Sequence, residues 1–438
     1  LESEAEAMKI QVDEGRLVGE LRVLAGFTER GGKDEHGGHG VSTEESTEGG
    51  VAVTRVVFGE ADRRAREYVE GLARDAGMTV RRDAVGNTFF RWKGMDEGLA
   101  AVGTGSHIDA IPNAGMYDGT VGVLGGIAAV RALKEAGLQP KRSIEVVLFT
   151  SEEPTRFGIG CLGSRMMAGL MTPEAAAKLV DKDGVGLDAA RAAGGFDGDL
   201  ADVKLAARAF AGFVELHIEQ GPILETAGEK IGVVTAIAAP ASLRILVEGE
   251  GGHAGAMLMP VRRDALVAAA ELIQAVERAA LGTGVVDTVA TVGMCEVFPG
   301  AVNSVPSRVK LSLDVRDTDE ARRDGVLREI AAACDEVSTR RGVKVTTEMI
   351  NADAPCSCGD SIVAAVEAAC AAEGIFGRKM VSRAYHDSLF MSRICPVGMV
   401  FIPCRGGVSH RPDEFSSEED IRLGVAVLAG ALAELSGK

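Results

Sequence analysis

From Glu60 to Ala76 apolar residues recur at helical spacing, and Gly77 supplies the stop. The stretch that follows, MTVRRDAVGNTFFRW, alternates apolar and polar positions around Gly86 and Asn87 and predicts a β-hairpin. A strand is expected near 99 to 104, then the polar, glycine-bounded segment GSHIDAIPNAGMYDG (105 to 119), a helix from about Val121 to Ala136, and a buried strand, SIEVVLFT, ending at Thr150. Strand, loop, helix, strand is the order that builds a largely parallel sheet covered by helices. Ligands of such sheets sit beyond the carboxyl ends of the strands. GSHID follows one strand end and SEEP follows another.

Between about 240 and 350 the pattern changes to strand LRILVEGE, a helix from Val261 to Ala280, strands DTVATVGMCEVFP and RVKLSLDVR, a helix from Glu320 to Thr339, and strand GVKVTTEMI. That βαββαβ order predicts a ferredoxin-like unit. The α/β pattern resumes at Ser361. The expected fold is therefore α/β, with a discontinuous, mostly parallel-sheet domain (1–239 and 350–438) and an inserted ferredoxin-like domain (240–349). Residues 29 to 50 are polar, glycine-rich and aperiodic, which reads as a surface loop. They hold His36 and His39, on a glycine-rich tether that gives a ligand pair no fixed supporting shell.

A chain of 438 residues is long enough for two cores. A hydrophobic content of 46% and a charged content of 25% are those of an ordinary globular protein, and no apolar run nears the roughly 20 residues that span a bilayer. The formal net charge of −17, without a basic cluster, argues against nucleic acid or an anionic membrane surface as a partner and for a small-molecule ligand. The eight cysteines lack paired C-x2-C spacing and read as buried thiols rather than metal ligands. The chain begins at Leu1 without an initiator Met, compatible with a removed targeting segment.

His107, His217, His253, His386 and His410 each fall in a polar or Gly-rich turn. In HID the carboxylate of Asp109 is placed to accept the second ring N–H of His107 and so to orient it. Asp118, eleven residues on, can approach the same point, and a carboxylate can bridge two metals where an imidazole cannot. Glu152 and Glu153 follow a buried strand and point in different directions, so one can ligate while the other holds a proton. His, Asp, Glu, His and His from separate loop ends form the N/O ligand set of a two-metal hydrolytic site. No G-x-S-x-G elbow supports Ser–His–Asp chemistry, and HDS at 386 to 388 is too compact for a relay.

The stretches DAVGNTFFRW, GSHIDAIPNAGMYDGTVGVLGG, SEEPTRFG, HIEQGPILE, GHAG with PVRRDAL, NSVP, DVRD, YHDS and SHRPDE together resemble the amidase/hydantoinase/carbamoylase branch of the aminoacylase-type metallopeptidases. The resemblance runs from about residue 50 to the C-terminus. Within that branch FTSEEPTRFGIGCLGSR and SRAYHDSLFMSRICPVGMVFIPC are most similar to the plant-type ureidoglycolate amidohydrolases, with allantoate amidohydrolases, ureidopropionases and N-carbamoyl-L-amino-acid hydrolases as near alternatives. A non-catalytic binding relative is the remote one. The resemblance implies two divalent metal ions, Mn2+ in preference to Zn2+, held by His107, Asp118, Glu153, His217 and His410, with Asp118 bridging and Glu152 as base. It implies that Gln220, His253, Asn303 and Arg316 bind substrate, with Tyr385 and His386 nearby, and that His253 also assists catalysis. It further implies that the inserted domain is a lid and dimerisation domain, that the protein is a homodimer with a site shared between subunits, and that its compartment is the endoplasmic reticulum, the cytoplasm being the alternative. The middle of GGHAGAMLMPVRRDAL departs from the more usual Thr-containing form, at 256 to 259.

Overall fold

The computed structural model describes residues 10–29 and 51–437, in two compact units. The loop histidines His36 and His39 lie outside the described residues. One unit runs to Thr235 and takes up Cys358–Met380 and the chain from His386 on; the other is Ala236–Ser357 with Val381–Tyr385. The expected insertion of 240–349 falls inside this second unit.

The sheet of the first unit has a parallel centre of four strands in the order Val397–Ile402, Phe210–Ile218, Ala101–Ser106, Ile144–Leu148. Almost every position of these strands is buried, as expected of strands covered on both faces. The flanks are antiparallel: Ile231–Ile237 on one side, and the hairpin Thr79–Arg82 with Thr88–Trp92 on the other. The helices Thr120–Glu135, Asp360–Ala372 and Glu418–Ser436 pack with one another, and the apolar residues of Thr120–Glu135 enter the same core as those of the strands. The helix Glu60–Asp75 forms as its pattern predicts, with Glu60 and Asp62 in its first turn, Arg74 in its last, and Ala65, Val69 and Ala73 buried.

The second unit is a four-stranded antiparallel sheet in the order Val289–Phe298, Arg308–Asp317, Ala239–Glu248, Lys344–Ala352, packed with the helices Ala265–Gly282 and Glu320–Arg341. Val309, Leu311, Leu313 and Val315 enter its core, while the alternate residues Lys310, Ser312, Asp314 and Arg316 line the other face. Its first helix starts at Ala265 rather than the expected Val261. Asp264 accepts from the Leu266 and Val267 amides and so caps it, while Pro260 sits in a separate 3-10 turn, Met259–Val261. No helix among the described residues is long and apolar enough to cross a membrane.

Candidate metal centre and active site

The ends of the four parallel strands converge, and each delivers one or two chemical groups. His107 is the first residue after Ala101–Ser106, Glu152 and Glu153 follow Ile144–Leu148 by a few residues, His217 sits at the end of Phe210–Ile218, and His410 follows Val397–Ile402. Asp118 occupies the turn before the helix Thr120–Glu135. Gly119 there has φ 67°, and a Cβ at that position would lie 2.4 Å from His107 Nε2. Only glycine fits that turn beside the histidine.

His107 Nδ1 lies 3.0 Å from the Asp109 carbonyl and His217 Nδ1 2.9 Å from the Ile218 carbonyl. A carbonyl only accepts, so both Nδ1 atoms carry protons and both Nε2 atoms are the ones turned toward the carboxylate of Asp118. His107 Nε2 is 3.6 Å and His217 Nε2 3.1 Å from Asp118 Oδ1. On the other side His410 Nε2 is 3.1 Å from Asp118 Oδ2 and 3.4 Å from Glu153 Oε1. Two groups result, His107 with Asp118 and His217, and Asp118 with Glu153 and His410, and Asp118 belongs to both through different oxygens. Glu152 Oε2 stands 3.7 Å from His107 Nε2.

Asp109 corrects one expectation. Its carboxylate is 3.7 Å from His107 Nδ1, beyond a hydrogen bond, and instead accepts from the main-chain amides of Glu152 (3.3 Å) and Glu153 (3.0 Å). The orienting of His107 is done by the main-chain carbonyl, because the Asp109 carboxylate is taken by the Glu152 and Glu153 amides. Asp109 thus sets the strand end that carries the two glutamates.

This arrangement fits divalent cations. An imidazole nitrogen and a carboxylate oxygen about 3.0–3.5 Å apart match the edges of a coordination shell with bonds of about 2.0–2.2 Å, and they need something positive between them. Protons supply it in the metal-free chain. Burial opposes charge on His107, yet the carboxylate of Glu152, then Asp118 and Asp109, hold its pKa well above the ordinary value. His410 is raised to about 9, chiefly by its hydrogen bond to Asp118. Burial would push Asp118 up, but hydrogen bonds from His107, His217 and His410 keep it well below the usual carboxylate range. Glu152 is driven well above that range by burial, reinforced by Glu153 and Asp387, and Glu153 rises to about 7 through burial and Asp118.

Gln220 Nε2 donates to Asp118 Oδ2 at 2.9 Å, and His386 is buried with its ring 4.5 Å from that of His217. In the second unit His253 pairs with Ser304, and the Ala254 amide donates to the Asn303 carbonyl, so His253 and Asn303 share one exposed turn. His253 Nδ1 accepts from the Gly255 amide, which puts the proton of the neutral ring on Nε2. Arg316 is held by Asp314 at 2.7 and 3.2 Å, and its guanidinium lies 5.5 Å from the centroid of the Tyr385 ring. Tyr385 belongs to the segment Val381–Tyr385 that groups with the second unit.

The pattern of the sequence did not single out several buried polar groups around this centre. Glu215, on a strand that reads as continuously apolar, accepts from the hydroxyls of Ser106 and Ser388 at 2.7 Å each. Those bonds occupy its carboxylate, although Glu215, His217 and His386 form a third cluster of donors. Asp387 accepts from Ser164, and its other oxygen, Oδ2, is buried without a partner among the described residues; burial and Glu215 raise the carboxyl to about 8. Cys161 Sγ reaches Glu152 Oε1 at 3.4 Å. Glu414 closes SHRPDE, so its signal was present in a motif already singled out.

The sequence pattern of Peptidase family M20/M25/M40 matches residues 103–434, a span that contains all six of these converging residues. The chain belongs to this family. Among its relatives, the ureidoglycolate hydrolase of Oryza sativa subsp. japonica is 53% identical over 392 residues, covering 88% of this chain and 81% of the rice protein. Among solved M20/M25/M40 folds, the crystal structures of AtUAH in complex with glyoxylate and with (S)-hydroxyglycine each match with a TM-score of 0.86 and 48% identity, covering 98% of both chains.

Proposed function

We propose that this chain is a ureidoglycolate amidohydrolase of purine (ureide) breakdown, converting (S)-ureidoglycolate to glyoxylate, ammonia and carbon dioxide. The observation that carries the reading is the Asp118 carboxylate, one oxygen turned to His107 and His217 and the other to His410 and Glu153, with Glu152 alongside. The similarity to the rice ureidoglycolate hydrolase and to AtUAH, whose complexes hold glyoxylate and (S)-hydroxyglycine, supports the substrate.

In this reading His107, Asp118, Glu153, His217 and His410 hold two divalent cations, which supply Lewis acidity toward the ureide carbonyl and lower the pKa of water. Manganese suits a donor set rich in carboxylate and free of thiolate, with zinc as the competitor. Glu152 takes the proton of the attacking water and hands it to the departing nitrogen. Its burial suits a carboxyl that must hold a proton between those two steps. The bond from the carbamoyl carbon to its terminal nitrogen breaks and ammonia leaves; the N-carboxylated hydroxyglycine that remains loses carbon dioxide, and the hydroxyglycine so formed breaks down to glyoxylate and a second ammonia. His253 Nε2–H is the donor for the developing oxyanion, a term worth about 3 kcal/mol per donor. Arg316, braced side-on by Asp314, and Asn303 bind the substrate carboxylate, with Gln220, Tyr385 and His386 beside it. The ferredoxin-like unit serves as lid and dimerisation surface, and the endoplasmic reticulum is the compartment that the plant-type resemblance implies.

The test is ammonia release from (S)-ureidoglycolate, allantoate, N-carbamoyl-L-alanine and a dipeptide in parallel with Mn2+ present. Ureidoglycolate should lead by at least ~10-fold in kcat/KM. A chain that prefers N-carbamoyl-L-alanine is a carbamoylase instead.

A further inference from the structure

Two loops meet at Asp118. One, 115 to 119, carries Asp118 itself; the other, 408 to 414, carries His410. Glu414 is fully buried at their junction. Its Oε1 accepts from two successive main-chain amides, Tyr117 at 2.9 Å and Asp118 at 3.0 Å. Its Oε2 accepts from the Ser409 hydroxyl at 2.8 Å. Ser409 Oγ in turn stands 3.1 Å from Asp118 Oδ2 and takes a hydrogen bond from Gln220 Nε2 at 3.0 Å. The fit is close: a Cβ on Gly115 would lie 2.3 Å from Glu414 Cβ, so the first loop passes directly over this side chain. Tyr117 and Phe415 pack edge to face beside it, with ring centroids 6.1 Å apart.

We propose that Glu414 is the positioning residue that fastens the Asp118 loop to the His410 loop, setting the separation of the groups on Asp118 Oδ2. It rests on the reading of Asp118 and His410 as cation ligands. Glu414 itself touches neither the substrate nor the Nε2 of any histidine in the cluster; it acts on Asp118 through two amides and a hydroxyl. The backbone on both sides needs such a clamp. His410 holds a left-handed conformation, φ 59°, uncommon for a residue other than glycine, and it persists only where the surroundings impose it.

The test is Mn2+ affinity, measured by titration into the metal-free full-length chain, for Glu414→Ala, Glu414→Gln and Ser409→Ala, with melting temperatures of the metal-free proteins alongside. Glu414→Ala leaves the Tyr117 and Asp118 amides without their acceptor and should weaken Mn2+ binding ~10–100-fold, the range found when groups supporting metal ligands are removed. Glu414→Gln should stay within about threefold of the parent chain, because its carbonyl accepts from both amides and its NH2 donates to Ser409, whose own proton then serves Asp118. Ser409→Ala should fall between them. Parent-like Mn2+ affinity in Glu414→Ala overturns the proposal, as does a Glu414→Gln chain as impaired as Glu414→Ala. If Glu414→Ala does not fold, unchanged affinity in Ser409→Ala overturns it instead. A parent chain that binds Mn2+ but leaves ureidoglycolate intact counts against the proposed substrate and not against this clamp.

Discussion

At the scale of single residues, Glu152 and Asp118 sit a few ångströms apart and meet opposite fates. Both are buried, which favours the neutral carboxyl, but Asp118 is answered by three imidazoles while Glu152 lies beside Glu153 and Asp387. The first is held well below the usual carboxylate range and the second is pushed well above it, so one suits a ligand and the other a group that takes up a proton and gives it back. Glu152→Gln removes the base while keeping its shape. It should bind Mn2+ as the parent does and lose ~100–10,000-fold in kcat, read by ammonia release. Arg316→Ala should act differently: KM for carboxylated ureides rises ~10–100-fold, and an uncharged ureide of the same length is hydrolysed nearly as before. Equal losses on both substrates would remove Arg316 from carboxylate recognition.

At the scale of elements, the inserted unit holds its two helices together with a charge cluster. Glu271, on Ala265–Gly282, accepts from both Arg340 and Arg341 on Glu320–Arg341, and these bonds lower its pKa to about 2. A folded pKa below the unfolded one means that the stabilisation is present above about pH 4.5 and is lost as pH falls toward 2. The group is partly solvated, so the cluster is worth about 1 kcal/mol rather than the full shift. Glu271→Gln should therefore lower the urea midpoint at pH 7, with the gap to the parent chain closing between about pH 4.5 and 2. A gap independent of pH would assign the loss to packing. The elements themselves were legible. The hairpin around Gly86 and the βαββαβ order announce themselves through period-2 alternation and turn residues, which are local properties. The start of the Ala265 helix was not, because a cap and a proline four residues apart both signal an N-terminus and only packing chooses between them.

At the scale of the whole molecule, the two units divide the proposed work: the ligands lie in one, and His253, Asn303 and Arg316 in the other. Removing the cations with a chelator should abolish ammonia release, and Mn2+ should restore it more fully than Zn2+. The proposed dimer belongs to this scale as well. The outer strand Val289–Phe298 is exposed along much of its length, with Met294 and Phe298 open to solvent in the single chain. An uncovered apolar edge strand is a pairing surface. Light scattering at micromolar concentration should give twice the chain mass, and a monomer at that concentration would set aside the shared-site reading.

The sequence by itself determined the fold class and the inserted antiparallel unit, and named the candidate ligands that the structure brings together, because periodicity and loop chemistry are written in neighbouring residues. It did not determine that the Asp109 carbonyl, rather than its carboxylate, orients His107, nor that Glu215, Asp387 and Glu414 stand around the centre. The first turns on the Asp109 carboxylate being drawn to the amides of Glu152 and Glu153, and the rest on strand ends and loops a hundred or more residues apart in the chain that meet only when the sheet closes its register. A buried acid in an apolar strand or at the end of a loop looks ordinary in one dimension. Its meaning comes from what desolvates it and what donates to it, and only the tertiary structure decides both.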